Sequence, residues 1–483
     1  MILPLRGAPV DTERRAEFLK PFKPEELQQR IEQHLTNDQI RLSSLFDDDD
    51  VHRLCEELEI DFRERTFTPA TTLGLFVSQV LSRGDACSTI MTQFNRERKR
   101  QGLSPVSEDA SAYCKARARL SVELIDRLSQ RVVTLLHEKT CDPWKWEGRN
   151  VYLVDGLVLR APDTEANQET YPQPSSQQEG LGYPQVRVLV TTSLATGCIV
   201  HYNSGTVEGK RTGEVSLFRE KHGDFVAGDI VVGDSNFESF HDAVLLNRHG
   251  ADIVFCINGT RTSPFEGVCQ RLDDKIVTVP KPKLNLTRFT REQWNALPAS
   301  IQYRMIRYRV SGRKEVITIV TTLLDQKRYN AEAITELYGL RWDVELDICS
   351  WKSTIGMGEL RCLVPENLDR EIAVGILAFN LVRALTNDAA AVLEVHPREV
   401  SFSHARDAWR SFSDELESSS DLMWIILSAT SRLVRDRPGR QEPRAIKRRN
   451  ATKYAKLTTP RPSRAKRIQA ATKSQPNKPP DKP

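Results

Sequence analysis

The sequence predicts an α/β fold, a mixed sheet with flanking helices, preceded by a helical region and interrupted late by a β-rich segment. Three observations carry this. Apolar residues recur at three and four positions before residue 140, and β-branched runs take over after Trp144. Between Asn150 and Asn258 the patterns then follow in the order β-β-β-α-β-α-β.

The early helices are clearest in TLGLFVSQVL (Thr72 to Leu81) and SVELIDRLSQRVVTLL (Ser121 to Leu136), the second with Ser121 as N-cap and Glu123 just inside. Basic clusters lie between them, RERKR (Arg96 to Arg100) and KARAR (Lys115 to Arg119). They suit either a solvated face or contact with DNA phosphates. NVYLVDGLVL (Asn150 to Leu159) reads as a buried strand, and VRVLVTTSL and CIVHYNSGTV as a hairpin around Ala195-Thr196-Gly197. TGEVSLFREKHG is helical, DIVVGDSNF a strand, SFHDAVLLNRHG a helix closed by Gly250, and ADIVFCIN a strand. KIVTVP, YRMIRYRV and KEVITIVTTLL then read as an inserted β-rich subdomain. One long helix is expected from Asn330, and an apolar one from Arg370 to Ala391. The expected divisions are 1–145 (helical, DNA-binding), 146–257 (first part of the core), 258–328 (β-rich insertion), 329–395 (core helices), 396–430 (C-terminal helices) and 431–483 (basic tail).

The 483 residues are 39% apolar and 28% charged, the composition of a soluble globular chain. No apolar run approaches the roughly 18 residues of a membrane span, and MILPLRGAPV is too short in apolar residues for a secretory signal. Nine cysteines without a Cys-x2-Cys pair argue against a disulfide framework or zinc site and fit a reducing cytoplasm. The net charge of +4 is unevenly spread. Residues 431–483 hold 17 Lys and Arg against three acids, leaving the rest of the chain at −10. Such a tail reads as disordered, a solubility element or a neutraliser of phosphates.

YGLRWDVELDICSWK (Tyr338 to Lys352) carries the chemistry. On one helix at 100° per residue, Tyr338, Arg341, Glu345 and Lys352 fall within about 60° of arc. The plain alternative is an Arg341–Glu345 pair on a wet surface, worth a few tenths of a kcal/mol. Two further carboxylates bear on the choice. Asp155 interrupts the first strand and Asp234 ends the fourth. A charge in a buried strand is costly unless it is paired or bound to metal. Either residue also has a local use, Asp155 in a turn with Gly156 and Asp234 as a cap. Together with Glu345 they supply the oxygen ligands that suit Mg²⁺, with Mn²⁺ as substitute. Two such ions suit phosphodiester chemistry, with Arg341, Lys352 and Tyr338 placed to bind phosphate.

Asp155, Asp234 and Glu345 in these settings resemble the DDE triad of insertion-sequence transposases with an RNase H-like core. Tyr338-x2-Arg341-x3-Glu345-x6-Lys352 resembles the signature of the bacterial subgroup with a β-strand insertion before the Glu. DGLVLRAPDTEANQ (Asp155 to Gln168), SAYCKARARL (Ser111 to Leu120) and the segment from Ser353 to Leu385 extend the resemblance over about residues 70 to 390. Where many relatives carry Arg-Gly-Phe after the second Asp, this chain has Ser235-Asn236-Phe237. The resemblance implies metal-dependent cleavage at inverted terminal repeats through a hairpin, joining of 3′ ends to target DNA, and action as a synaptic homodimer on double-stranded DNA. It makes Asp155, Asp234 and Glu345 metal ligands and gives Tyr338, Arg341 and Lys352 the terminal phosphates. Trp294, the insertion's only tryptophan, is the candidate to hold a flipped base, with a core position as its alternative.

GTVEGKR lacks the length and the Ser or Thr of a phosphate loop, and no His-Glu-x2-His occurs. Two rival readings remain: an RNase H-like nuclease that does not join, and a DNA-binding regulator without catalysis.

Overall fold

The computed structural model describes residues 24–37, 48–178, 180–257, 265, 269, 271–283, 290–309, 316–412, 425–426, 428–429 and 433–434. The basic tail expected from residue 431 lies almost wholly outside them.

The helical region comprises α1 (Pro24–Asn37), α2 (Asp48–Glu57), α3 (Pro69–Leu81), α4 (Cys87–Arg100), α5 (Ser111–Arg117) and α6 (Val122–Glu138). Thr68 caps α3 by accepting from the Thr71 amide, with Pro69 in the first turn, where its missing N–H costs nothing. Ser121 stands at the N-cap of α6.

The core begins with β1 (Val151–Arg160), α7 (Glu165–Thr170), β2 (Gln185–Ser193), β3 (Ile199–Thr206) and α8 (Glu214–Arg219). It continues through β4 (Ile230–Gly233), α9 (Phe240–Arg248) and β5 (Asp252–Cys256). Next come β6 (Leu272–Pro280), α10 (Arg291–Asn295), β7 (Ser300–Arg309) and β8 (Val316–Thr321). The chain then forms α11 (Ala331–Gly339), α12 (Trp342–Cys349), α13 (Pro365–Leu393) and α14 (Phe402–Phe412).

All these strands join one eight-stranded sheet in the order β3-β2-β1-β4-β5-β8-β7-β6. β1 runs antiparallel to β2 and parallel to β4, and β4 is parallel to β5. The first five strands thus have the RNase H-like order. The β-rich segment does not stand apart as a subdomain. β8 pairs antiparallel with β5 through Val254–Cys256, so the insertion lengthens the central sheet. The free edge of β5 would otherwise leave backbone donors and acceptors unpaired.

α13 is the central helix. It packs on α6, α3, α1 and α14 and is buried nearly all round. Its length and hydropathy match a membrane span, but 94% of its apolar window is buried inside the fold. Asn380 in its middle donates to Ser129 of α6 and to the Ile199 carbonyl of β3, and accepts from the Ile199 amide. A buried amide so completely paired ties three elements at one point.

The long helix expected from Asn330 is broken. Leu340 and Arg341 turn between α11 and α12, where the amides of Arg341 and Asp343 bond three residues back instead of four. Gly339, a poor helix former, immediately precedes the break. After Cys349 the chain widens into a π-helical turn, Ser350–Ile355, closed by Gly356 at φ +98°.

Candidate active site

The register of the parallel strands sets the site. Leu153 pairs with Val232, so two residues further on Asp155 of β1 stands level with Asp234 at the end of β4. Gly233 pairs with Phe255, which places Cys256 of β5 level with Asp234 in turn. Two carboxylates and a thiol therefore align across three neighbouring strands. Successive side chains on a strand point to opposite faces. Asp155 faces α12, which crosses β1 and β2, while a Cβ on Gly156 would collide with Glu214 of α8 on the other face. Arg187 holds Glu214 there, 3.2 Å away.

Each strand carboxylate makes the local bond that its turn offers. Asp155 accepts from the Gly156 amide at 2.8 Å, and Asp234 accepts from the Asn236 amide at 2.8 Å. These are the local uses that the sequence left open, and both coexist with the juxtaposition of the two groups. Burial pushes Asp155 up to about 6. The Gly156 amide and Arg341 pull it down, while Asp234 and Glu345 push it further up. A carboxyl whose proton affinity is raised by like charges beside it marks a site short of positive charge.

Arg341 supplies part of that charge. Its Nη2 donates to Glu345 Oε1 at 3.0 Å, with Arg341 17% exposed and Glu345 33%. The plain i,i+4 pair is thus real, but it is half-buried and directed at Asp155, not set on a wet surface. Burial works against the Arg341 charge, and Tyr338, Glu345 and Asp155 outweigh it, so the guanidinium holds its proton more firmly than usual.

The break in the helix separates the remaining residues. Tyr338 lies on the β5 side beside Cys256 and Tyr308, and burial pushes its phenol well above the ordinary range. Burial likewise pushes the Cys256 thiol up, with Tyr338 and Arg341 opposing and Asp234 adding. Lys352, in the π turn, donates to the Val158 carbonyl at 3.4 Å, further along β1. Burial, then Arg160, lowers its proton affinity. The expected single stripe becomes an acidic centre with Arg341 at its middle and two flanks, a phenol on one side and an ammonium on the other. Trp294 is 8% exposed and packs with Phe240, Val244 and Leu297 in a small satellite core, the position its alternative reading gave it.

Three neighbours were missed from sequence. Cys256 and Glu214 carry no local signal, since strand register and a helix-to-sheet approach bring them in. Arg160 lies within the Asp155 motif and was recognisable as a cation five residues along the same strand.

All the ligands expected for a divalent cation are oxygens, and Asp155 has a raised proton affinity beside two like charges, so the donor set suits a hard cation. Among the described residues no three acidic, His or Cys side chains close around one point. Glu345 is engaged with Arg341 and Asp234 with Asn236. The Arg341 bond engages Oε1 of Glu345.

The sequence model of the transposase DDE domain matches residues 146–381. The chain is 25% identical over 300 residues to the transposase InsG of insertion sequence element IS4 from Escherichia coli (strain K12). That match covers 61% of this chain and 65% of the relative, so the chain spans somewhat under two thirds of the curated relative's length. A solved structure of the piggyBac transposase synaptic complex with hairpin DNA overlaps 87% of each chain at 9% identity, with a TM-score of 0.39. Residues 146–381 thus match the transposase DDE domain, and over 300 residues the chain is similar to a transposase of a bacterial insertion sequence.

Proposed function

We propose that this chain binds the inverted terminal repeats of its element, cleaves the phosphodiester bonds there through a hairpin, and joins the 3′ ends to target DNA. The observation that supports this most directly is the level placement of Asp155 and Asp234 on adjacent parallel strands, facing a helix that presents Glu345. Two Mg²⁺ or Mn²⁺ ions at these carboxylates supply activation of a water or 3′-hydroxyl and stabilisation of the leaving oxygen.

The chain's own residues do the rest. Arg341 balances the acidic centre, and its guanidinium fork would offer donors to a phosphate beside it. Lys352 and Arg160 lie further along β1 and offer two positive charges to the backbone beside the scissile bond. Tyr338 keeps its proton and so acts as a hydrogen-bond donor on the other flank. The helical region adds grip. A cleft of about 760 Å³ is lined by Arg63, Arg65, Lys115 and Arg119 together with Phe62 and Phe67, a combination of charge and ring faces suited to nucleic acid. The acting species is a homodimer holding two ends. Trp294, packed against Phe240, would serve a flipped base only by leaving its satellite core.

The test uses the purified chain, Mg²⁺ and a labelled duplex of the DNA that flanks its own gene. Nicking, hairpin formation and joining are expected. Glu345→Ala should lower nicking by about a thousandfold or more while leaving duplex binding intact. Cutting without joining would favour the nuclease, and binding without cutting the regulator. Nicking unaffected by Glu345→Ala would overturn the assigned triad.

A further inference from the structure

α12 is only eight residues long and has irregular backbone at both ends, the turn at Leu340–Arg341 and the π turn from Ser350. Nothing in its own hydrogen bonding fixes its rotation against the sheet. That rotation matters. A Glu carboxylate lies about 6 Å from the helix axis, so a turn of about 5° moves it by about 0.5 Å, the tolerance of a functional constellation.

The opposite side of α12 carries a buried ionic cluster. Asp347 lies two residues beyond Glu345, hence about 200° round the helix and directed into the core. It is 1% exposed. Arg398, from the short turn Pro397–Glu399, meets it with both Nη atoms, at 3.0 Å to Oδ1 and 2.9 Å to Oδ2. Arg383 of α13 donates to the same Oδ1. Arg398 also donates to the Ser193 and Leu194 carbonyls at the end of β2, each at 2.9 Å, and lies 3.8 Å from Asp343. Gly197, at φ +73° in the β2–β3 turn, lets the backbone close on Arg383, since a Cβ there would come within 2.9 Å of the guanidinium. One side of α12 is thereby bonded to the sheet and to α13 through directional contacts.

Stability alone does not account for this choice. A buried ion cluster is commonly matched or exceeded in stability by apolar residues of similar volume, whereas its directional bonds fix one arrangement. We propose that Asp347, Arg383 and Arg398 are positioning residues whose bonds set the rotation of α12 and so aim Glu345 at Asp155 and Asp234. This rests on the reading of Glu345 as a metal ligand. It extends the site past residue 381, where the match to the transposase domain ends, to Arg398.

The experiment measures Mn²⁺ affinity by electron paramagnetic resonance on the full chain bound to the flanking-DNA duplex, alongside the metal dependence of nicking. Arg398→Lys keeps the charge and loses the fork; Asp347→Asn loses the charge. Each is expected to raise the Mn²⁺ dissociation constant and the half-saturating metal concentration by about tenfold, with duplex binding within about twofold of wild type. A triple replacement, Asp347→Leu with Arg383→Met and Arg398→Met, guards against simple misfolding. It should recover the thermal midpoint yet keep the weakened metal binding. Wild-type metal affinity in every folded variant would overturn the clamp while leaving Glu345 in place, provided Glu345→Ala itself abolishes Mn²⁺ binding. Mn²⁺ binding indifferent to Glu345→Ala would overturn the ligand assignment and the clamp's purpose with it.

Discussion

At the level of single residues, Asp155 shows burial and function opposed. Its carboxyl lies at about 6 in the fold against an ordinary 3.8, so between those values the native chain holds the extra proton. Its contribution to stability is complete below about pH 3.8 and is lost as pH rises through about 6. Asp155→Asn removes that loss. In metal-free buffer the variant should melt above wild type at about pH 8 and equal it near pH 4, where both side chains are neutral. Thermal denaturation with chelator checks this, and an equal shift at both pH values would mean that the charge is not the cause. The same residue is thus unfavourable to the empty fold and, by the proposed function, needed in the loaded one. Stability given up at a reactive position is a common feature of such sites.

At the level of elements, the helix that carries the signature illustrates where periodicity stops being informative. Apolar spacing from Asn330 to Trp351 supports one helix, yet Gly339 and the turn after it divide that helix, and the π turn ends it. The hydrophobic stripe is still satisfied, since Leu337, Val344 and Trp351 are all buried. The break is visible only in the backbone bonds of residues 340 to 344. In α13 a single polar residue, Asn380, meets two other elements. Asn380→Ala would leave the Ile199 amide and carbonyl without their side-chain partner. A loss of about 1–3 kcal/mol is expected, read as a lower urea midpoint at unchanged slope. An unchanged midpoint would show that water replaces the amide.

At the level of the whole molecule, the helical region and the sheet share one core. Arg370 of α13 donates to the Leu120 carbonyl, Arg30 of α1 donates to the Val392 carbonyl, and Arg117 stacks on Phe76 within hydrogen-bond reach of Cys362. The division at residue 145 is therefore one of chemistry more than of folding. A fragment beginning at residue 146 uncovers the face of α13 that α6 and α3 bury. It should bind a hydrophobic dye and be cleaved at protease levels that the intact chain resists; equal resistance would make the core independent of its helical cover.

The sequence by itself determined the kind of most elements, because the periods of helix and strand are local; it singled out Asp155 and Asp234 as charges in strands and Glu345 by its spacing from Tyr338, Arg341 and Lys352. Asn150 to Leu159 was legible as a strand to within a residue at each end. Only the tertiary structure decided that Asp155 and Asp234 stand level, since register is a property of two strands and is written in neither. It likewise made the β-rich insertion part of the central sheet, through an edge on β5 that any antiparallel strand could have filled. Arg398 came to Asp347 from 51 residues away for a reason of the same kind: a buried carboxylate requires a cation, but its own sequence does not say which one.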